Sequence, residues 1–540
     1  MKIFALCKPY LLKFRASLIT YYIITIFVGL FALANPFLIG DFIDSLITDG
    51  TMTAVYRFAI IFAALNIART ALSYITMIIY TKTQSKAAHE FTQDAISHVQ
   101  GLSLSFVNKR DTDYLSQVIN GDTNMLIIFC ISVVQNFILN GVYLIMPLIV
   151  LFSLNAPVTS VLMAFLLIYI LIYGLFRKPL FNRSMSLRVA QNSFFAKLLE
   201  QLKFTKFIKV HVLGGFFRKR MDKSFDNLID ETLKSQKLNF AYTSLDTAVT
   251  TIVQIVLFLL GGYLILNGNF TIGMFTIFSM YFNMMLGAAK YFFSFGKNYQ
   301  DNLVSYSRLT EILESPLETQ GSKKLNSIEK VSVKNLNFSF NGAETDNIIN
   351  DLNLELVKGN IYGIVGKNGA GKSTLINLLM GMYIDEKQGE ISFNGISSKV
   401  LDMQALRKEH IGISEQESVI LGEDVDYNIN LTIPKERKTK GELDKYLKIL
   451  NLYELVNNIN EKEDNSPQNF SGGEKQKLSI LRLLLKNPSL MIFDEPTSAM
   501  DIESSKKFMM LLQSLKSDRI IVIISHDEHI VRECDGLIYL

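Results

Sequence analysis

The most specific chemistry in the chain is carried by Gly366-Lys367-Asn368-Gly369-Ala370-Gly371-Lys372-Ser373-Thr374. Two glycines bracket four residues and are followed by Lys and Ser, which is the spacing of a phosphate-binding P-loop. The apolar run Ile361 to Val365 ahead of it reads as a short strand, and Leu375 to Met380 behind it reads as a helix. Glycine reaches backbone dihedrals closed to other residues, so Gly366, Gly369 and Gly371 let successive N–H groups curl around phosphate oxygens. The helix start adds its partial positive charge. In this reading Asn368 and Thr374 complete the cradle, Lys372 reaches the β- and γ-phosphates, and Ser373 ligates Mg²⁺.

Two further stretches belong to the same chemistry. Ser489-Leu490-Met491-Ile492-Phe493-Asp494-Glu495 is an apolar strand ending in two carboxylates. Asp494 is placed to bind Mg²⁺, directly or through water. Glu495, one residue on, is suited to orient or deprotonate an attacking water. Phe470-Ser471-Gly472-Gly473-Glu474 opens a second helix, with Lys475, Lys477, Leu478, Ile480 and Leu481 following. Glycines at a helix start make another anion site. One P-loop has no use for a second phosphate turn in its own subunit. Two subunits facing head to tail would let this turn close over the partner's ATP.

The rest of the chain must position these groups. With 540 residues, several domains are expected. The first 300 or so residues are dominated by long apolar runs, and the remainder reads as a soluble α/β domain. Lys and Arg number 54 against 50 Asp and Glu, a balance that argues against a bulk nucleic-acid partner. Cys7, Cys130 and Cys534 lie far apart and form no metal-ligand spacing. The run Leu18 to Ile39 is too long for a signal-sequence core and reads as a membrane span.

Six spans are expected, at about 16–40, 55–80, 127–153, 157–176, 246–267 and 271–295. Lys2, Lys8, Lys13 and Arg15 precede the first, and Lys82, Lys86, Lys109 and Arg110 follow the second. A dense basic set from Arg177 to Lys237 follows the fourth, whereas the first outer loop carries Asp41, Asp44 and Asp49. The positive-inside rule then puts both termini in the cytoplasm, with the P-loop beside the ATP pool. The inner loops 81–126 and 177–245 keep helical periodicity, so each is expected to run down and back as a helical hairpin. Their tips fall near Phe106–Tyr114 and Phe204–Gly215, and Gly214-Gly215 is a break between helices. About 25 helical residues would reach roughly 40 Å beyond the bilayer. The expected domains are a transmembrane domain over 1–314, a linker over 315–327 and a nucleotide-binding domain over 328–540.

In span six, Lys290 lies roughly 28 Å along the helix from the outer loop, near the inner leaflet. Asn283 lies two turns up the same face. Both are candidates to line a substrate cavity, because ionisable groups at this depth are costly against lipid. Snorkelling of Lys290 and interhelical hydrogen bonding of Asn283 are the competing readings. If both line the cavity, the cargo carries an acidic or anionic group.

Taken together, these motifs resemble a half-transporter of the ATP-binding cassette (ABC) superfamily, of the type IV exporter architecture. Phe470 to Glu474 resembles the LSGGQ signature, with Phe for Leu and Glu for Gln. Gln416 resembles the Q-loop glutamine that senses the γ-phosphate and Mg²⁺. Ser498-Ala499-Met500-Asp501 resembles the D-loop, and His526 the switch histidine. Phe340 stands at the aromatic position that stacks on adenine. Asp111-Thr112-Asp113-Tyr114-Leu115 and Phe207-Ile208-Lys209 resemble the two coupling helices, the first without its usual Gly. No clear acidic-Gly-Glu-Arg-Gly X-loop precedes the signature, and Glu461-Lys462-Glu463-Asp464 stands there. The chain reaches Leu540 soon after His526, so the usual C-terminal hairpin and helix are expected to be missing, and no protease domain is expected ahead of span one.

The resemblance implies a multidomain membrane protein: a six-helix transmembrane domain followed by an α/β P-loop domain. It implies a homodimeric, ATP-driven exporter of the cytoplasmic membrane with ATP and Mg²⁺ as cofactors. Glu495, His526, Gln416 and Lys372 would be catalytic. Phe340, the P-loop, Ser471, Gly472, Gly473 and Asp501 would hold nucleotide, and Ser373, Gln416 and Asp494 would hold the metal. The first expectation for cargo is a bacteriocin-like peptide. A lipid flippase or multidrug pump is the alternative, and a cargo-free signalling ATPase a minor one.

Overall fold

The computed structural model describes residues 2–48, 50–340, 347–385, 387–433, 440–453, 456, 470–498 and 500–540. Glu461–Asp464 and Ala499 lie outside the described residues. The chain divides into two compact units. One holds Met1–Ser97 and Thr112–Glu314, and the other holds His98–Asp111 and Ser315–Leu540.

The first unit is all helix. A short α1 (Lys2–Leu12) leads into α2 (Arg15–Thr48) and α3 (Met52–Gln100). Two short helices follow, α4 (Leu104–Asn108), which belongs to the second unit, and α5 (Thr112–Ser116). A π-helical turn at Gln117–Asp122 joins α5 to α6 (Thr123–Leu154). Then come α7 (Ala156–Lys203), α8 (Thr205–Val210), α9 (Gly214–Leu266) and α10 (Ile272–Leu313). Among the described residues, six helices are long and apolar enough to cross a membrane, and the six expected spans fall on them in order. The hairpin tips expected near residues 106–114 and 204–215 coincide with the short helices α4, α5 and α8, and α9 begins at Gly214.

Local chemistry sets the helix starts. Asn155 caps α7 by accepting from Val158 N–H at 3.1 Å, and Thr271 caps α10 by accepting from Met274 N–H at 3.0 Å. Asp44 ties α2 to α10, accepting from the Thr271 hydroxyl at 2.6 Å and from Gly273 N–H at 2.8 Å. The two backbones approach so closely that a Cβ on Gly273 would lie 2.2 Å from the Gly40 carbonyl oxygen. The Tyr281 hydroxyl donates to the Leu33 carbonyl at 2.6 Å inside the apolar core of this unit.

The second unit is α/β. Strands β1 (Lys330–Phe338), β2 (Ile349–Val357), β4 (Gln388–Phe393) and β5 (Ile396–Ser397) form an antiparallel sheet in the order β2-β1-β4-β5. A parallel sheet holds β3 (Ile361–Val365), β6 (Ile411–Ser414), β7 (Leu490–Asp494), β8 (Ile520–Ile524) and β9 (Gly536–Tyr539), in the order β6-β7-β8-β3-β9. The helices are α11 (Lys372–Leu379), α12 (Met403–Glu409), α13 (Val425–Asn430), α14 (Lys440–Ile449), α15 (Gly472–Lys486), α16 (Ile502–Leu515) and α17 (Glu528–Arg532).

The apolar runs in β7 and β8 follow from burial on both faces. Leu490, Ile492, Ile520, Val522 and Ile524 enter one core, and Met491, Phe493, Ile521 and Ile523 enter the other. Side chains alternate along a strand, so one uninterrupted apolar run serves both cores. The segment 98–111 joins this unit through Leu104, which packs on the first core, and through Gly101, whose carbonyl accepts from Glu318 N–H at 2.8 Å.

Candidate functional site

The parallel sheet sets the site. The P-loop leaves the carboxyl end of β3, and Gln416 follows β6. Asp494 ends β7, Glu495 is the next residue, and His526 follows β8. These four strands are neighbours, so their carboxyl ends put all these residues at one edge, where open parallel sheets bind ligands. Residues Lys367 to Thr374, Gln416, Asp494, Glu495 and His526 line one cavity of about 560 Å³, with Ile348 and Ile524.

The loop has the geometry of an anion cradle. Gly369 has φ +83° and Gly371 φ +92°, and Gly371 is the residue ahead of α11. A Cβ on Gly371 would also meet Ile348 at 2.9 Å, so two constraints select glycine there. Lys372 Nζ donates to the Gly366 carbonyl at 2.8 Å and lies 3.1 Å from His526 Nε2. Its charge is thereby held across the mouth of the loop.

The carboxylates sit close together. Burial raises the Asp494 carboxyl above the usual range, and the charge of Glu495 adds to this while Lys372 opposes it. Glu495 Oε1 is 3.6 Å from His526 Nε2. The Glu495 backbone takes φ +51°, a left-handed conformation that a non-glycine residue holds only under constraint. Two hydrogen bonds supply that constraint. Glu495 N–H donates to the Ile524 carbonyl at 2.9 Å, and its carbonyl accepts from Gln476 Nε2 at 2.7 Å. Gln476 is 4% exposed and also accepts from the Ser498 hydroxyl at 3.1 Å. Sequence reasoning missed Gln476. The available signal was a polar residue on the inward face of α15, two positions past Glu474, among Leu478, Ile480 and Leu481.

The other expected site residues lie outside this cavity's lining. Ser471 caps α15 in a capping box. Its N–H and its hydroxyl each donate to Glu474 Oε2 at 2.7 Å. Gly472 and Gly473 form the first turn of α15. Asp501 caps α16 by accepting from Ser504 N–H at 2.7 Å, and its bonds to Ser504 hold its carboxyl below the usual range. Phe340 follows β1, packs edge-on against Phe338 and Tyr383, and is 40% exposed.

In the first unit, Lys290 and Asn283 line separate cavities. Lys290 Nζ donates to Asp246 Oδ2 on α9 at 2.7 Å. Asn283 donates to the Ser279 carbonyl of its own helix at 2.9 Å. Among the described residues, the bond of Lys290 is thus to an acid on α9 and that of Asn283 to its own helix.

Comparison with known proteins gives a consistent picture. Residues 18–289 match the family described as "ABC transporter transmembrane region", and residues 349–498 match "ABC transporter". The chain is 26% identical over 547 aligned positions to the leukotoxin translocation ATP-binding protein LktB of Bibersteinia trehalosi, covering 98% of this chain and 75% of that protein. LktB of Mannheimia haemolytica and of Mannheimia glucosida match to the same extent. Among solved structures, a bacterial Atm1-family ABC exporter with ATP bound superposes with a TM-score of 0.82 at 19% identity, covering 97% of this chain and 94% of that one. That likeness concerns the fold.

Proposed function

This chain belongs to the ABC transporter family, and on that premise we propose that it exports a toxin-like peptide as a homodimer in the cytoplasmic membrane. The nucleotide-binding unit and both termini then face the cytoplasm, in keeping with the basic residues that flank the inner ends of the spans. ATP hydrolysis coupled to transport goes with the family. The single observation that carries the reading is the cavity that joins the P-loop to Gln416, Asp494, Glu495 and His526, in a chain that also holds six membrane-length helices. The peptide cargo is supported by relatives named for leukotoxin translocation.

In this reading the backbone N–H groups of 366–374 and Lys372 hold the phosphates. Ser373, Gln416 and Asp494 offer oxygen donors at one edge of the cavity, and burial leaves Asp494 in want of a cation, so the set fits a hard divalent ion. A bound Mg²⁺ would neutralise charge on the phosphate oxygens. Glu495 orients or deprotonates the attacking water, and His526 contacts the γ-phosphate beside it. Ser471 to Gly473 and Asp501 of the second copy complete the site from across the dimer. The short helices α4–α5 and α8 carry cassette motion to the spans.

Phe340 supplies the adenine platform. Stacking contributes roughly 1–3 kcal/mol per base by alanine substitution in other base-binding sites. Phe340→Ala is therefore expected to weaken ATP binding measured by calorimetry, and Phe340→Tyr to preserve it. Equal affinity in Phe340→Ala and wild type would move the adenine elsewhere.

The cargo is tested with the purified protein in proteoliposomes, using a panel of amphipathic peptides, dye-like drugs and labelled phospholipids. Peptides are expected to stimulate ATPase and to accumulate in the lumen only with ATP. Stimulation by phospholipids or drugs alone would replace the peptide reading, and ATPase indifferent to every class would favour a cargo-free ATPase.

A further inference from the structure

We propose that the cavity between α7, α9 and α10 binds an anionic amphiphile, a carboxylate or phosphate joined to an apolar body, and that Asp246 holds Lys290 until such an anion displaces it. The cavity measures about 580 Å³. Arg177 and Lys178 enter it from α7 and Lys290 from α10. Tyr173, Phe181 and Tyr242 supply aromatic surface beside these cations. Among the described residues, none that lines it is acidic.

The charges do not balance. Lys290 is paired with Asp246, and its ammonium also lies 5.6 Å from the centroid of the Tyr169 ring. Among the described residues, neither Arg177 nor Lys178 has an ion-pair partner. One carboxylate therefore answers three cations. Arg177 and Lys178 follow directly on the apolar stretch of α7 and are both exposed, so an anion can reach them without displacing a protein partner. An arriving anion finds two free donors of complementary charge, and the guanidinium offers a planar fork that matches carboxylate or phosphate. It also competes with Asp246 for the Lys290 ammonium. The aromatic wall next to the cations suits an apolar body attached to that anion. A fully apolar or cationic cargo would leave the excess charge unanswered.

This assignment rests on the exporter reading for its meaning, so binding and hydrolysis are measured separately. The chain contains no Trp, so Phe181→Trp places a single fluorescent reporter in the cavity wall. The full-length protein in phosphatidylcholine nanodiscs is titrated with dodecyl phosphate, dodecyl maltoside and dodecyltrimethylammonium. Dodecyl phosphate is expected to shift the reporter saturably and at least about tenfold more tightly than the other two, as charge-assisted hydrogen bonds warrant. Adding Arg177→Ala with Lys178→Ala should weaken it by about tenfold. Adding Asp246→Asn should instead tighten it, because Lys290 is freed, and effects of opposite sign cannot both come from misfolding.

A second arm replaces part of the phosphatidylcholine with phosphatidylglycerol. Competition with dodecyl phosphate identifies a bilayer lipid as the source of the anion, and its absence identifies a cargo presented from the water. Equal response to the anionic and neutral probes, or unchanged affinity in the double alanine variant, overturns the site. ATPase of the wild-type protein is read alongside. Hydrolysis without anion selectivity removes the site and keeps the exporter reading, whereas anion selectivity without hydrolysis does the reverse.

Discussion

Glu495→Gln is expected to lower steady-state phosphate release by about two orders of magnitude or more while leaving Mg-ATP binding intact. The substitution keeps the side chain's shape and removes its basicity. It also spares what holds the residue in place. The left-handed backbone at Glu495 is fixed by its own N–H to Ile524 and its carbonyl to Gln476, and neither bond uses the carboxylate. The side chain is 18% exposed and faces His526 at 3.6 Å, so an amide fits the same place. With ATP bound and not hydrolysed, the two cassettes should stay closed. Phosphate release, nucleotide binding and the dimer fraction of the isolated complex are the three measurements. Near wild-type turnover in this variant would remove Glu495 from the role of base. Loss of nucleotide binding would instead indicate that the edge of the sheet had collapsed.

The second large effect concerns Ser471. Ser471→Arg and Lys372→Ala are each expected to abolish ATPase when both subunits carry the same change. Hetero-dimers that carry one change in each subunit are expected to recover hydrolysis. In them, Lys372 of one subunit meets Ser471 of the other at one intact composite site, while the second site has lost both. The geometry within one subunit motivates this. Ser471 caps α15 and is absent from the lining of the cavity that holds Lys372. Its hydroxyl donates to Glu474 Oε2 and accepts from the Glu474 N–H at 3.3 Å, so within its own subunit it serves the start of α15. Differently tagged subunits allow the hetero-dimers to be isolated and assayed. Hetero-dimers as inactive as both parents would mean that Ser471 acts on its own subunit's nucleotide.

Much of this protein was determined by local sequence. The P-loop is readable because its requirement is local: glycine at 369 and 371 permits the positive φ values seen there. The six membrane-length helices are readable because length and apolarity alone set them. The strands β7 and β8 are readable because burial on both faces demands unbroken apolar runs. Even the gathering of Gln416, Asp494 and His526 follows once each is placed at or just past the carboxyl end of a parallel strand.

Tertiary structure decided the contacts between residues far apart in the chain. Lys290 meets Asp246 44 positions away, and no periodicity in span six announces an acid on α9. Gln476 reaches the backbone of Glu495 from α15, so the constraint behind the strained residue comes from another element. The segment 98–111 leaves the helical hairpin and joins the α/β unit, because Leu104 finds its apolar partners in that core. Asn283 and Lys290 share a helix face at seven-residue spacing, yet the packing of α7 and α9 gives each its own cavity. A helix's own pitch says which side chains line up along it. Only the neighbours that pack against it say what those side chains meet.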